Sequence, residues 1–175
     1  MPHRQYKYVG PIEIQEVART QPRGTAVYTV DDLAAWLAFK PTEQTPDGNW
    51  VATFTLGIDS VLRVAPRRSE HVACAAGGPV LAAGEITIDG ELNIPEISNQ
   101  STGFCPEPES WTVLAGVLDC IGVKHPGEFT RAVVFRRCPK CHERNIVKDS
   151  WFYCQLCDAK PVSYTHLTLP TILLV

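Results

Sequence analysis

No stretch of the chain supplies the run of about 20 apolar residues that a membrane-spanning helix needs. The first eight residues, Met1 to Tyr8, alternate charged and aromatic side chains where a signal peptide would carry an apolar core. The expectation is therefore a cytoplasmic chain with no membrane partner. A large charge of either sign is also missing: 16 Lys and Arg stand against 19 Asp and Glu, a net charge of -3, which argues against a strongly basic nucleic-acid binder or membrane-surface protein. No internal repeat or low-complexity tract is visible, and Gly77, Gly78 and Gly84 have neither the spacing nor the following Lys-Ser/Thr of a phosphate-cradling loop. What remains is 175 residues, 45% hydrophobic and 20% charged, which fits one globular domain with a small appendage. Seven cysteines are too few for a disulfide-dense secreted scaffold, and four of them fall between Cys138 and Cys157.

Hydrophobic periodicity and turn chemistry predict an α+β fold with a mostly antiparallel sheet, two helices and a C-terminal metal module. Thr29-Val30-Asp31-Asp32 has the form of a capping box, and Leu33, Trp36 and Leu37 follow at helical spacing, so 31–39 reads as a short amphipathic helix. Residues 50–56 and 61–64 form a hairpin pattern around Gly57-Ile58-Asp59-Ser60. A second hairpin is expected where Ile86-Thr87-Ile88 and Leu92-Asn93-Ile94 flank Asp89-Gly90, a dipeptide suited to positive φ. Pro108, with Glu107 and Glu109 beside it, opens a helix carrying Trp111, Leu114, Leu118 and Ile121 on one face, and Gly122 stops it. Residues 129–135 read as a strand entering the cysteine cluster. The domain assignment is an α+β core over 1–135, a metal module over 136–161, and a tail over 162–175.

Cys138-Pro139-Lys140-Cys141 and Cys154-Gln155-Leu156-Cys157 are two C-x2-C knuckles separated by twelve residues. Two-residue spacing lets both thiolates of a knuckle face one ion, and two knuckles complete a tetrahedral set. The intervening strand, Lys148-Asp149-Ser150 turn and aromatic Trp151-Phe152-Tyr153 resemble the zinc-ribbon family. That resemblance implies Cys138, Cys141, Cys154 and Cys157 as ligands of a structural Zn2+, since four thiolates leave no open position for catalysis. Iron, in an iron-sulfur cluster or a rubredoxin-like site, and a redox dithiol are the rival uses of the same thiols. His142 follows a ligand directly and competes only weakly. Arg136, Arg137, Lys140, Arg144 and Lys148 with the aromatics admit nucleic-acid binding, while the plainer reading gives the aromatics to the small core and the cations to the thiolate charge.

In 69–123 the order His71, Ala76-Gly77-Gly78, Ala83-Gly84-Glu85-Ile86, Asp89-Gly90 and Ser98 to Pro106 resembles a module of uncharacterised bacterial proteins that also occurs in plant IQ-motif calmodulin-binding proteins. Ser101-Thr102-Gly103-Phe104 departs from the usual Ser-Gly-His-Tyr order, and no IQ-type basic helix is present, so calmodulin binding is not carried over. His71, Glu85, Asn99, Ser101 and Thr102 are the candidate ligand-binding set, for a protein partner or a small anionic ligand, against the plainer reading of a turn network that satisfies its own backbone. An enzyme acting on a nucleotide-like or phosphorylated molecule at this surface is the alternative. Cys74 or Cys105 would serve as nucleophile and His71 as base, although on an extended strand His71 and Cys74 face opposite ways. Ala65-Pro66-Arg67-Arg68 reads as a solvated turn that can also attract an anion. Cys74, Cys105 and Cys120 are expected to be core thiols. Residues 162–175 contain no charge and resemble translated sequencing-adaptor read-through, so they are set aside from fold reasoning.

Overall fold

The computed structural model describes residues 3–39, 44–147 and 153–159. They fall into two compact units, one ending at Ala132 and the other beginning at Val133. The tail at 162–175, the Lys148-Asp149-Ser150 turn, Trp151 and Phe152 lie outside the described residues.

The first unit is built on a five-stranded antiparallel sheet of β1 (Thr25–Val27), β2 (Trp50–Gly57), β3 (Leu62–Pro66), β4 (Val80–Ile88) and β5 (Glu96–Ile97), in the order β1-β3-β2-β4-β5. Alternation along β2 explains its central place. Ala52, Phe54 and Leu56 enter the main core, while Thr53 and Thr55 on the opposite face are buried too. Buried hydroxyls need partners. Thr53 donates to the carbonyls of Arg67 and Ser69 at 3.1 and 3.2 Å, and Thr55 to the Cys74 sulfur at 3.4 Å. Phe54 is paired with Val64 on one side and Gly84 on the other.

Among the described residues four α-helices accompany the sheet: α1 (Ile12–Ala18), α2 (Val30–Ala38), α3 (His71–Cys74) and α4 (Trp111–Ile121). The two expected ones form as anticipated. Thr29 Oγ1 accepts from the Asp32 N-H at 3.2 Å and the Asp32 carboxylate accepts from the Thr29 N-H at 2.9 Å, closing the capping box of α2. Gly122, at φ 88, ends α4 as a left-handed cap. Leu33, Trp36 and Leu37 of α2 and Leu114, Leu118 and Ile121 of α4 join the same apolar cluster as Phe54, Val64 and Ile86. Cutting a fully enclosed member such as Leu118 to alanine costs about 2–5 kcal/mol.

The remaining elements correct the sequence reading. Two short helices add to the expected pair, and one of them, α3, occupies the segment treated as extended. There Ala73 and Cys74 both donate their N-H groups to the Glu70 carbonyl, so the turn satisfies its own backbone while burying Val72, Ala73 and Cys74. The second hairpin is wider than Asp-Gly implied. Asp89 Oδ1 accepts from the N-H groups of Glu91 and Asn93, Leu92 takes the positive φ of 64, and the strand partner of Ile86 is Ile97. Phe129 belongs to the first core, edge-on to Trp111 at 5.1 Å, and not to a strand leading to the cysteines. The Thr130 hydroxyl holds that segment by bonding both the N-H and the carbonyl of Ile97 at 2.9 Å. Cys74 and Cys105 are buried as expected, but Cys120 is exposed, because it faces away from the Leu114-Leu118-Ile121 stripe.

An amino-terminal segment completes the unit. Tyr6 forms an antiparallel bridge with Val80 through bonds of 2.8 and 3.0 Å, and it joins Ala18, Val72, Val80, Ala83 and Phe104 in a second, smaller apolar cluster.

Candidate metal centre

The second unit opens with β6 (Val134–Arg137) and β7 (Arg144–Val147), paired antiparallel so that Phe135 faces Ile146 and Arg136 faces Asn145. The connection between β6 and β7 carries one knuckle, and 154–157 carries a second of the same construction. In the first, Cys138 donates its N-H to the Glu143 carbonyl at 2.8 Å and accepts at its own carbonyl from His142 at 3.0 Å. In the second, Cys154 bonds Ala159 at 3.1 Å and Asp158 at 3.0 Å in the same two senses. The fifth residue of each turn has positive φ, 61 at His142 and 52 at Asp158. In both, the N-H two residues beyond the first cysteine, from Lys140 or Leu156, donates to its sulfur at 3.4 Å.

This repetition points four sulfurs at one place. Cys138, Cys141, Cys154 and Cys157 bring their Sγ atoms within 4.8 Å of one another, with Cys138 and Cys154 buried. Cys138 and Cys157 sulfurs are 3.7 Å apart, and those of Cys141 and Cys154 3.4 Å. A tetrahedron with metal-sulfur bonds of about 2.3 Å has sulfur-sulfur edges of about 3.8 Å. The cluster therefore has the dimensions of a four-thiolate metal site. His142 is exposed and outside it.

Electrostatics favour a cation at the centre. For Cys138, the Cys141 N-H leads the groups that hold the thiol below its ordinary range. Burial pushes the Cys154 thiol up, but the N-H groups of Leu156 and Cys157 and the neighbouring thiols outweigh it and bring it to about 6. At Cys141 the Glu143 N-H pulls downward, and burial together with the three other sulfurs overrides it, raising the thiol to about 12. The dipoles that lower Cys138 and Cys154 thus leave Cys141 protonated. A divalent ion would remove that conflict, since metal-bound thiols are deprotonated outright.

Asn145 was not anticipated from the sequence, yet it ties the second knuckle to the hairpin. Its amide nitrogen donates to the Glu143 carbonyl at 3.0 Å and lies 3.7 Å from the Cys154 sulfur, and its oxygen accepts from the Gln155 N-H at 2.9 Å. The side chain is buried. An asparagine in a strand rich in cations and β-branched residues, ten positions before Gln155, was the available signal.

The candidate ligand set of the first unit is assembled around Gly84. His71 Nε2 bonds the Gly84 carbonyl at 3.0 Å, and the N-H of Ser98 donates to the Glu85 carbonyl at 2.9 Å. A Cβ on Gly84 would overlap the Ser98 carbonyl oxygen, so the loop lies directly on the strand. His71, Glu85 and the start of the loop are thus neighbours. Asn99 and Ser101, however, are fully buried, Asn99 spending its amide on the Pro106 carbonyl at 2.8 Å, while Thr102 is exposed. None of the five lines either of two cavities found in this unit. His71 and Cys74 form no dyad: the imidazole bonds Gly84, and the thiol donates to the Arg63 carbonyl at 3.7 Å.

Comparison with protein-family models, curated proteins and solved structures finds no match to this chain. The four-cysteine centre consequently stands on its own geometry.

Proposed function

We propose that the protein is a non-enzymatic binding protein of the bacterial cytoplasm, in which the four cysteines hold a structural Zn2+ and the first unit engages a ligand or protein partner. The observation that carries this reading is the convergence of four sulfurs at tetrahedral spacing, in a unit whose described residues enclose little other core. Zinc suits the site because it takes thiolates in a closed tetrahedron and needs no redox partner. Four protein ligands leave no position for substrate, which makes the ion a folding element.

The side chains that would support catalysis argue the same way. Burial lowers the His71 pKa and raises that of Cys74, so the imidazole is held neutral against Gly84 and the thiol is kept from ionising. Asn99 and Ser101 present nothing to solvent. In the second unit the Arg136 and Arg137 guanidiniums bond the carbonyls of Phe135 and His142, which favours a role within the ribbon over contact with nucleic acid. Elemental analysis of the purified full chain tests the proposal: one zinc per chain is expected, and iron with a visible charge-transfer band, or no metal at all, would overturn it. A gel shift abolished by charge reversal at Arg136, Arg137 and Arg144 would move the function to nucleic acid.

A further inference from the structure

A cavity of about 440 Å³ opens in the first unit between the 21–25 loop and the 66–70 turn. Its lining divides by chemistry. Trp36, Val64, Ala65, Ala73 and Cys74, all buried core residues, make one side apolar. Arg23 and Arg68 stand on the solvent side with the hydroxyls of Thr25 and Ser69, and Glu70 is the only acid in the lining. Among the described residues none of these two guanidiniums and two hydroxyls has a side-chain partner, whereas Arg63 on the neighbouring strand is clamped by Asp59 at 2.6 Å.

Both arginines rise from anchored backbone. Gly24 donates its N-H to the Cys74 carbonyl at 3.0 Å, and a Cβ there would meet the Cys74 sulfur and the Val64 carbonyl, so the loop carrying Arg23 is seated on the cavity wall. The turn carrying Arg68 is closed by the Ser69 N-H on Pro66 at 2.8 Å and is held by Thr53, which donates to the carbonyls on either side of it. Two cations carried on anchored backbone beside an apolar wall are a recognition pattern for a molecule that is anionic at one end and apolar at the other.

We propose that this cleft binds a small organic phosphate monoester, its dianion between Arg23 and Arg68 and its aromatic or branched body against Pro22, Pro66 and Trp36. Guanidinium forks match phosphate oxygens bidentately, and the two hydroxyls supply further donors, so a dianion with three terminal oxygens uses the rim more fully than a carboxylate does. The proposal deepens the reading of the first unit as a binding domain and does not depend on the metal. The cleft also lies apart from His71, Glu85, Asn99, Ser101 and Thr102, none of which lines it.

The test is a titration of the zinc-loaded full chain with phenyl phosphate, followed by amide and indole NMR shifts. Saturable shifts centred on Gly24, Thr25, Ser69, Cys74 and the Trp36 indole are expected. Phenol and inorganic phosphate, each lacking one half of the ligand, should bind at least about tenfold more weakly, as should the Arg23→Glu and Arg68→Glu variants, since one charge-assisted hydrogen bond is worth about that factor. Both arginines are exposed, and unchanged melting of the variants will show that the fold is intact. Shifts centred elsewhere, phenol binding as well as phenyl phosphate, or affinity indifferent to both charge reversals would overturn the site. Benzoate binding equal to phenyl phosphate would overturn the phosphate assignment. Iron in the purified protein would refute the zinc reading and leave this titration untouched.

Discussion

Replacing Cys154 with serine probes the metal centre at one of its two fully enclosed sulfurs. Cys154 Sγ sits 3.4 Å from that of Cys141 and accepts from the Leu156 N-H at the same distance, so the substitution removes a ligand and the anchor of the second knuckle together. The consequence follows from how little else is enclosed among the described residues of this unit. Among its described residues the fully buried apolar side chains are Phe135, Cys138 and Cys154, two of them ligands themselves. Burying one phenylalanine contributes about 2–3 kcal/mol, whereas structural zinc in peptide-sized modules contributes on the order of 10–16 kcal/mol. On the proposed zinc reading, the ion is therefore the largest contribution to the fold of these described residues. Metal analysis and an amide correlation spectrum read the outcome: Cys154→Ser should lose stoichiometric zinc, and the β6 and β7 amides should collapse to unfolded positions. Amides of the first unit should stay in place, because its core shares no residue with the cysteine cluster. His142→Ala serves as the control and should retain one zinc per chain. Dispersed, exchange-protected β6 and β7 amides in metal-free Cys154→Ser protein would refute the reasoning.

Asn145→Ala removes the bridge from the hairpin to Gln155 and Cys154 and should weaken zinc by about 10- to 100-fold, the usual cost of losing an outer-shell partner, as read by competition with a chromophoric chelator; unchanged affinity would deny the bridge a role. His71 gives the first unit a pH dependence: burial lowers its folded pKa, so above about 6.5 the unit has its full stability, and below that the unfolded chain takes a proton the folded one resists. Urea midpoints should accordingly fall from pH 7.5 to 5, and His71→Gln, which keeps a donor for the Gly84 carbonyl, should flatten the slope; a wild-type midpoint that does not move over this range would count against the buried neutral imidazole. Gly84→Ala places a methyl on the Ser98 carbonyl, and the loop cannot retreat without breaking the Ser98 to Glu85 bond, so a loss of about 1–3 kcal/mol in urea unfolding is expected and an unperturbed midpoint would contradict that contact.

What could be read from the sequence was whatever physics writes locally. The α2 capping box needs only Thr29 and Asp32, and the α4 stripe ends at a glycine because only a left-handed cap closes it cheaply. The metal cluster was legible for the same reason: a C-x2-C turn carries its own geometry, and two of them require only that the chain bring them together. The features that escaped were settled by partners distant in sequence. Nothing in Ile12 to Ala18 distinguishes α1 from an alternating strand, and its exposed Ile12, Ile14 and Val17 leave no inward stripe to read. The Asp89 turn shows the competition directly: Gly90 could have taken the positive φ, but the Asp89 carboxylate gathers the following N-H groups and transfers it to Leu92.

The candidate ligand residues illustrate a further limit. Asn99, Ser101 and Thr102 were grouped because hydroxyls and amides in one loop can serve either a ligand or their own backbone, and composition does not separate the two. Burial separates them here. Asn99 and Ser101 are enclosed, and Asn99 bonds the carbonyl of Pro106, so most of the loop's polarity is turned inward. Arg23 and Arg68 show the reverse case. Read singly, each is a charged residue in a solvated turn. Only the β1-β3 edge and α3, joined by the Gly24 to Cys74 hydrogen bond, bring 45 residues of separation down to one cavity wall with Val64 and Trp36 behind it. A ligand site of this kind needs the fold first, because its cations acquire meaning from the apolar surface between them.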